Sequence, residues 1–323
     1  MKVGVFLVLL ADRSLEQALD YVKELGADCV EIGTGAYVGN AHADPAKLLR
    51  SKGATQKLID AVASRGLEIS ALSCHGNPVH PKKTIARDHD KAFRDTVELA
   101  ARLGVKTVVT FSGQPGDRDG GTSPNWVTQI WPPDFLELLE WQWKEKVGPY
   151  WAEAAEYARQ RGVRVAIELH PGFIAYNSGS FHRLRKEAGK AGKNLYVNFD
   201  PSHLFWQQMD PIECVDSLRD AIAHVHAKDT ALHARNVQLN GVLDTISYGD
   251  VAQRSWIFRS VGYGHGPEFW KALVSHLRLA GYDGAISIEH EDGLMSIDEG
   301  LRKAYATVRE AVISEPPPRM WWA

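Results

Sequence analysis

The segment LYVNFDPSHLFW, residues 195–206, shows the pattern on which the fold prediction depends: an apolar strand that ends at polar residues. Four of its first five residues are apolar and β-favouring, which predicts a buried strand. Pro201 prevents the strand from continuing past Asp200, and His203 follows three residues after that carboxylate. A buried strand thus delivers a carboxylate and an imidazole to its own carboxyl end.

The same order of strand and helix occurs eight times along the chain. Each apolar strand precedes a helical pattern, and near-continuous apolar strands are typical of parallel sheets. Eight consecutive units predict an α/β protein with a single (β/α)8 TIM barrel. The segment LLADRS after the first strand lacks the glycines of a dinucleotide-binding fold. The predicted strands are KVGVFLVLL (2–10), ADCVEIG (27–33), LEISALSCHG (67–76), VKTVVTFSG (105–113), VRVAIELHPG (163–172), LYVNFDPSH (195–203), IAHVHAKD (222–229) and AISIEHED (285–292).

Two long insertions interrupt this regular spacing. Residues 113–134 follow the fourth strand and residues 230–266 follow the seventh. Both leave the carboxyl ends of strands, where barrel enzymes keep their chemistry, so we expect unstructured lids or binding loops. The second insertion ends in VGYGHG, residues 261–266, whose backbone N–H groups could bind a phosphate or whose glycines could form a hinge.

No linker divides the sequence, which predicts one domain over residues 1–323 with a C-terminal tail at 315–323. The tail, EPPPRMWWA, stops the last helix with prolines. Trp321 and Trp322 would be unfavourable in water, so we expect them to dock on the barrel or on a second subunit. A homo-oligomer is therefore one expectation, and a disordered end is the alternative.

Composition and charge narrow the kinds of partner. The 323 residues carry a net charge of −3 and a pI near 6.5, which offers no attraction to nucleic acid or to an anionic membrane. Cys29, Cys74 and Cys214 are few, odd in number and widely spaced, which is typical of reduced cytosolic thiols. The apolar run VGVFLVLL is too short to span a bilayer. The sequence predicts a cytoplasmic enzyme acting on a small molecule.

Polar side chains end four successive predicted strands, the fifth to the eighth. With a two-residue strand period, Glu168, Asp200, His226 and Glu289 can all point toward the barrel axis. Three carboxylates would repel one another there by several kcal/mol unless a cation lies among them. One imidazole with three carboxylates suits Mn²⁺ or Co²⁺ best, and Mg²⁺, Fe²⁺ and Zn²⁺ also fit. The pattern predicts one divalent metal with open positions for two substrate oxygens.

The order of these motifs, Glu in AIELH, Asp-x-x-His in FDPSH, His in HVHAKD and Glu in ISIEHED, resembles the xylose isomerase-like TIM-barrel superfamily of sugar phosphate isomerases and epimerases. The superfamily also includes inosose isomerases and dehydratases and endonuclease IV-type nucleases. The resemblance implies the same four metal ligands and, in the ketose epimerase branch, proton exchange by Glu168 and Glu289. It also implies that His203 holds a substrate hydroxyl.

Other side chains near these strand ends are expected to contact substrate. Each has an alternative as an ordinary packing or surface residue. The further substrate-binding candidates are His75, His170, Lys228, Trp206 and Arg259.

The expected chemistry is proton abstraction next to a carbonyl, through an enediolate that the metal stabilises. Return of the proton makes the protein an isomerase or epimerase of a sugar or keto-sugar derivative. Expulsion of a β-oxygen would instead make it a lyase or hydratase on 3-keto-glycosides or inososes. An endonuclease IV-type nuclease and a non-enzymatic sugar-binding barrel are the remaining alternatives.

Overall fold

In the computed structural model, which describes residues 1–320 and 322, eight parallel strands close into a barrel. The strands follow one another around the barrel in chain order, and the last pairs with both the seventh and the first. The predicted (β/α)8 TIM barrel is confirmed. The barrel strands are β1 Lys2–Phe6, β2 Cys29–Gly33, β3 Glu68–Ser73, β4 Thr107–Phe111, β5 Arg164–Glu168, β6 Leu195–Phe199, β7 Ile222–Ala227 and β10 Ala285–Ile288.

Helices surround the barrel and connect its strands. The first shows why the sequence forms them where it does: Ser14 and Gln17 form a reciprocal capping box at its start, and Gly26 ends it in the left-handed conformation. The helices are α1 Leu15–Leu25, α2 Pro45–Leu48, α3 Lys52–Ala63, α4 Lys83–Leu103, α5 Pro133–Trp141, α6 Gly148–Gln160, α7 Ser178–Glu187, α8 Pro201–Trp206, α9 Pro211–Leu218, α10 Ala234–Asn240, α11 Pro267–Leu279 and α12 Ile297–Ala311. Within residues 1–320 and 322, none of them combines the length and apolar character needed to cross a bilayer.

The first strand is shorter than expected. It ends at Phe6, and Leu7–Leu10 form a 3₁₀ turn whose first and last leucines are buried. Residues three apart on such a turn lie on the same face, so both leucines can be buried without an extended strand. The apolar run therefore covers two elements, a strand and a turn.

Long connections follow β4 and β7, as predicted, but only the first lacks regular structure. Residues 112–132 contain no helix or strand. After β7, strand β8 Asp229–Leu232 pairs antiparallel with β9 Trp256–Arg259, and α10 lies between them. The expectation of an unstructured loop at 230–266 is wrong, because two short strands far apart in sequence find each other only in the folded chain.

The C-terminal tail is described only in part. Trp321 lies outside the described residues, and Trp322 is 65% exposed. The docking of these two tryptophans on the barrel or on a second subunit stays a prediction.

Candidate metal centre

Four side chains converge at the carboxyl end of the barrel. Glu168 is the last residue of β5, His226 lies in β7, and Asp200 and Glu289 directly follow β6 and β10. One nitrogen or oxygen atom from each lies within 4.8 Å of the other three. Asp200 is the N-cap of α8, and its Oδ1 accepts a hydrogen bond of 2.8 Å from the Ser202 backbone. Its second oxygen is thereby left to face the other three residues.

Three atoms of this group are buried without a hydrogen-bond partner in the described part of the chain. They are Asp200 Oδ2, His226 Nδ1 and Glu289 Oε2. His226 Nδ1 lies 3.2 Å from Glu168 Oε2 and 3.1 Å from Glu289 Oε2. The Lys228 ammonium forms ion pairs with Asp200 Oδ2 and Glu289 Oε2, but its single charge does not balance three carboxylates. Three oxygen donors with one nitrogen are a divalent-metal ligand set. The residues present therefore fit a divalent metal.

A buried ammonium also faces this group. Lys228 Nζ lies 3.2 Å from Asp200 Oδ2 and 3.0 Å from Glu289 Oε2, and it donates a hydrogen bond of 3.1 Å to Glu291. Burial alone would lower the pKa of Lys228, but the three carboxylates outweigh it and hold that pKa well above its usual value. Lys228 therefore stays charged and offsets part of the negative charge.

The three histidines predicted to contact substrate lie next to the metal-ligand candidates. His75 Nε2 lies 2.9 Å from Glu168 Oε2, and His203 Nε2 lies 3.4 Å from both Glu168 Oε1 and Asp200 Oδ2. The ring of His170 packs 4.1 Å from that of His203. Burial lowers the pKa of His170 to about 3, with the neighbouring His203 adding to the effect, so this ring is neutral.

A cavity of about 260 Å³ opens above these residues, with room for a small polar ligand. Its walls combine aromatic rings with carboxylates, imidazoles and one ammonium. The lining residues are Phe6, Val8, Tyr37, Val38, His75, Phe111, Glu168, His170, Lys228, Glu289 and Glu291.

Three of the predicted substrate contacts, His203, Trp206 and Arg259, are not among the residues that line this cavity. Trp206 stacks face to face on Trp256, with ring centroids 4.6 Å apart. Arg259 donates from Nε to Asp292 Oδ2 over 3.0 Å. Trp206 and Arg259 pack at the paired strands β8 and β9. The sequence did not predict this pair of strands, so it gave no indication that these two side chains have partners there.

The VGYGHG segment already holds an anion from its own chain. The backbone N–H groups of Gly262, Gly264 and His265 donate to Asp229 Oδ2 over 3.1, 3.0 and 2.8 Å. A Cβ on Gly264 would lie 2.2 Å from the Thr230 carbonyl oxygen, so this glycine permits a close approach of two backbones. The donors that the sequence offered to a phosphate are used by the Asp229 carboxylate.

Comparison with known proteins supports the same fold. Residues 19–310 match the model of the xylose isomerase-like TIM barrel family. The chain belongs to this family. It is 33% identical over 315 residues to the uncharacterized protein YfiH of Bacillus subtilis (strain 168), a match that covers 97% of this chain and 99% of that protein.

Solved structures of similar fold share much less sequence. The apo form of 3-keto-D-glucoside 4-epimerase, YcjR, from E. coli has a TM-score of 0.64 and 16% identity over 96% of this chain and 99% of that chain. The IolI protein with a bound zinc atom has a TM-score of 0.63 and 17% identity over 96% of both chains. These structures show the fold of the family.

The motifs of the family did not reveal one buried carboxylate in contact with the metal-ligand candidates. Glu31, in β2, lies 2.9 Å from His226 Nε2. Burial would raise its pKa, but the imidazoles of His226 and His224 outweigh this effect and lower the pKa to about 2. A single glutamate inside the otherwise uncharged run CVEIG, residues 29–33, was the available indication, because a charged residue in a buried strand needs a partner.

Proposed function

We propose that the protein is a divalent-metal-dependent isomerase or epimerase of a sugar or keto-sugar derivative. The observation that carries this proposal is the convergence of Glu168, Asp200, His226 and Glu289 below a small polar cavity, with three buried atoms lacking hydrogen-bond partners. The names of the similar structures, an epimerase of a keto-sugar and a zinc-bound protein, support it.

The charge of the group supports a divalent ion. Burial would lower the pKa of His226, but the carboxylates around it outweigh this effect and hold that pKa well above its usual value. The proton of Nδ1 would be displaced on metal binding, and the carboxylates of Glu168, Asp200 and Glu289 and the ammonium of Lys228 would then sum to two negative charges. One divalent cation held by Glu168, Asp200, His226 and Glu289 would neutralise them. The donor set favours Mn²⁺, and Co²⁺, Mg²⁺, Fe²⁺ or Zn²⁺ would also be accepted. We further propose that the enzyme works in the cytoplasm, since all three cysteines are free and buried.

We propose that the two glutamates move protons on opposite sides of a substrate. When bound, the metal supplies a Lewis acid that polarises a carbonyl and lowers the energy of the negative charge on its oxygen. Glu168 ends β5 and Glu289 directly follows β10, and these two strands are separated around the barrel by β6 and β7. One carboxylate takes the C–H proton while that bond's electron pair moves toward the carbonyl, and the other returns a proton to the opposite face.

Neighbouring side chains would hold the substrate during this exchange. We propose that His203 and His75 accept or donate hydrogen bonds to substrate hydroxyls, because both contact Glu168 and His75 also lines the cavity. The Lys228 ammonium lines the same cavity and would contact a substrate oxygen there. The aromatic rings of Phe6 and Phe111 line the same cavity and would cover the apolar face of a sugar.

Incubation in deuterated water tests the proposal. Protein loaded with Mn²⁺ would be mixed with a panel of ketoses, 3-keto-glycosides and inososes. We expect deuterium at the carbon next to the carbonyl, in a sugar of unchanged formula, and loss of this exchange after chelation. An unsaturated product would assign the lyase chemistry instead. Metal binding without exchange on any of these sugars would contradict the proposal.

A further inference from the structure

A layer of polar side chains lies inside the barrel below the metal-ligand candidates. Glu31 has no exposed surface, and its Oε1 and Oε2 lie 3.1 and 2.9 Å from His226 Nε2. The Ser73 hydroxyl donates to the same carboxylate. TIM barrels usually fill this level with bulky branched side chains. An ionised group here therefore needs a specific reason.

His226 connects this layer with the candidate metal centre. Its Nε2 faces Glu31, whereas its Nδ1 faces Glu168 and Glu289. An imidazole that donates Nε2–H to a carboxylate presents the lone pair of Nδ1 on the other side of the ring. Metal-bound histidines are commonly held in this way, which fixes the tautomer and the direction of the ring.

A second contact holds Glu168 from the same layer. Asn198 Nδ2 donates to Glu168 Oε2 over 2.8 Å, and Asn198 Oδ1 lies 2.9 Å from His224 Nδ1. His224 Nε2 in turn lies 3.8 Å from Glu31 Oε2. Two of the four converging residues are thus oriented from inside the barrel.

We propose that Glu31 is the positioning residue of the metal centre, setting the tautomer and direction of His226 without touching the metal. This inference rests on the proposed function. The competing possibility is a second metal held by Glu31, His224 and His226, whose donor atoms also lie within 4.8 Å of one another. The hydrogen bonds favour the positioning role. In the described chain, both oxygens of Glu31 and His226 Nε2 are already hydrogen-bonded, whereas His226 Nδ1, on the side of the other candidate ligands, is not.

The test measures the affinity for Mn²⁺ alone, by competition with a chelator, in Glu31→Gln and in the wild-type chain. We expect one ion per wild-type chain and a dissociation constant about 10- to 100-fold higher in the variant. Glu31→Asp should recover part of the affinity, because it keeps the charge. Glu68→Gln is the matched control, since this carboxylate is 66% exposed, and it should bind like the wild type.

A purely structural role would give a different result. It would lower the thermal stability of the chelated protein while leaving the affinity of the folded protein unchanged. If Glu31→Gln does not fold, Ser73→Ala removes one hydrogen bond to Glu31 and should weaken Mn²⁺ binding by a few-fold. Nitrogen-15 NMR of the zinc-loaded wild-type protein should show a proton on His226 Nε2.

Each remaining outcome overturns a separate statement. A wild-type chain that binds no metal contradicts the proposed function itself. One tightly bound ion in both the wild type and Glu31→Gln contradicts only the role of Glu31. Two ions per wild-type chain, with one lost in Glu31→Gln, would make Glu31 a metal ligand rather than a positioning residue.

Discussion

Glu168→Gln is expected to slow deuterium exchange into the substrate about 10³-fold, which is the usual contribution of a general acid or base. The change keeps the shape of a fully buried side chain whose carboxylate accepts from Asn198 and faces His75 and His226. An amide cannot take a proton from carbon at neutral pH. The substitution also removes one negative charge from the candidate metal ligands, so the affinity for the metal should fall as well.

The measurement separates these two effects. Exchange is followed at rising Mn²⁺ concentrations until the signal no longer changes, so that the metal site is filled in both proteins. The control is Glu268→Gln, because this carboxylate is 92% exposed at the start of α11 and does not line the cavity. Wild-type exchange by a metal-saturated Glu168→Gln protein would remove Glu168 from the proton transfer.

The barrel and its four converging residues could be predicted because each depends on information within one strand. The periodicity of the strand gives burial, and the residue at its carboxyl end needs no knowledge of the rest of the chain. Glu168, Asp200 and Glu289 end or directly follow their strands, and parallel strands bring these ends together. His226 lies inside β7 and could be placed by the alternation of side chains.

The features that the sequence did not show depend on pairs of distant residues. The contact of Glu31 with His226 joins β2 and β7 across the barrel interior, and no periodicity predicts such a contact. Trp206 was expected at the substrate, yet its partner, Trp256, comes from a hairpin that forms only in the folded chain. Local patterns thus predicted where charge accumulates, but tertiary packing decides which aromatic and basic side chains reach it.

Lys228 shows the same contrast between local sequence pattern and tertiary packing. The sequence made it a candidate for contact with the substrate, whereas the structure surrounds it with Asp200, Glu289 and Glu291. An ammonium with three carboxylate neighbours within 3.2 Å has little attraction left for a phosphate. Together with the occupied backbone donors at 261–266, this favours an uncharged sugar derivative as the substrate.

Asp229→Ala is expected to lower the free energy of unfolding by about 3–5 kcal/mol, because it leaves several backbone N–H donors without their acceptor at once. The fully buried Asp229 accepts from the backbone of Gly262, Gly264 and His265 through Oδ2 and from Thr230 through Oδ1. Alanine leaves these donors without an acceptor, and an unsatisfied buried donor costs about 1–3 kcal/mol.

Urea unfolding measures this change, with Asp210→Ala as the control. Asp210 caps α9 through a hydrogen bond of 2.8 Å to the Ile212 backbone in an exposed position, and its loss should cost about 1 kcal/mol. Inorganic phosphate should restore part of the stability of Asp229→Ala but not of Asp210→Ala, because the vacated backbone N–H groups form an anion-binding concavity. If Asp229→Ala were no less stable than Asp210→Ala, the N–H groups at 261–266 would have to find other acceptors, and the argument against a phosphate site would fail with them.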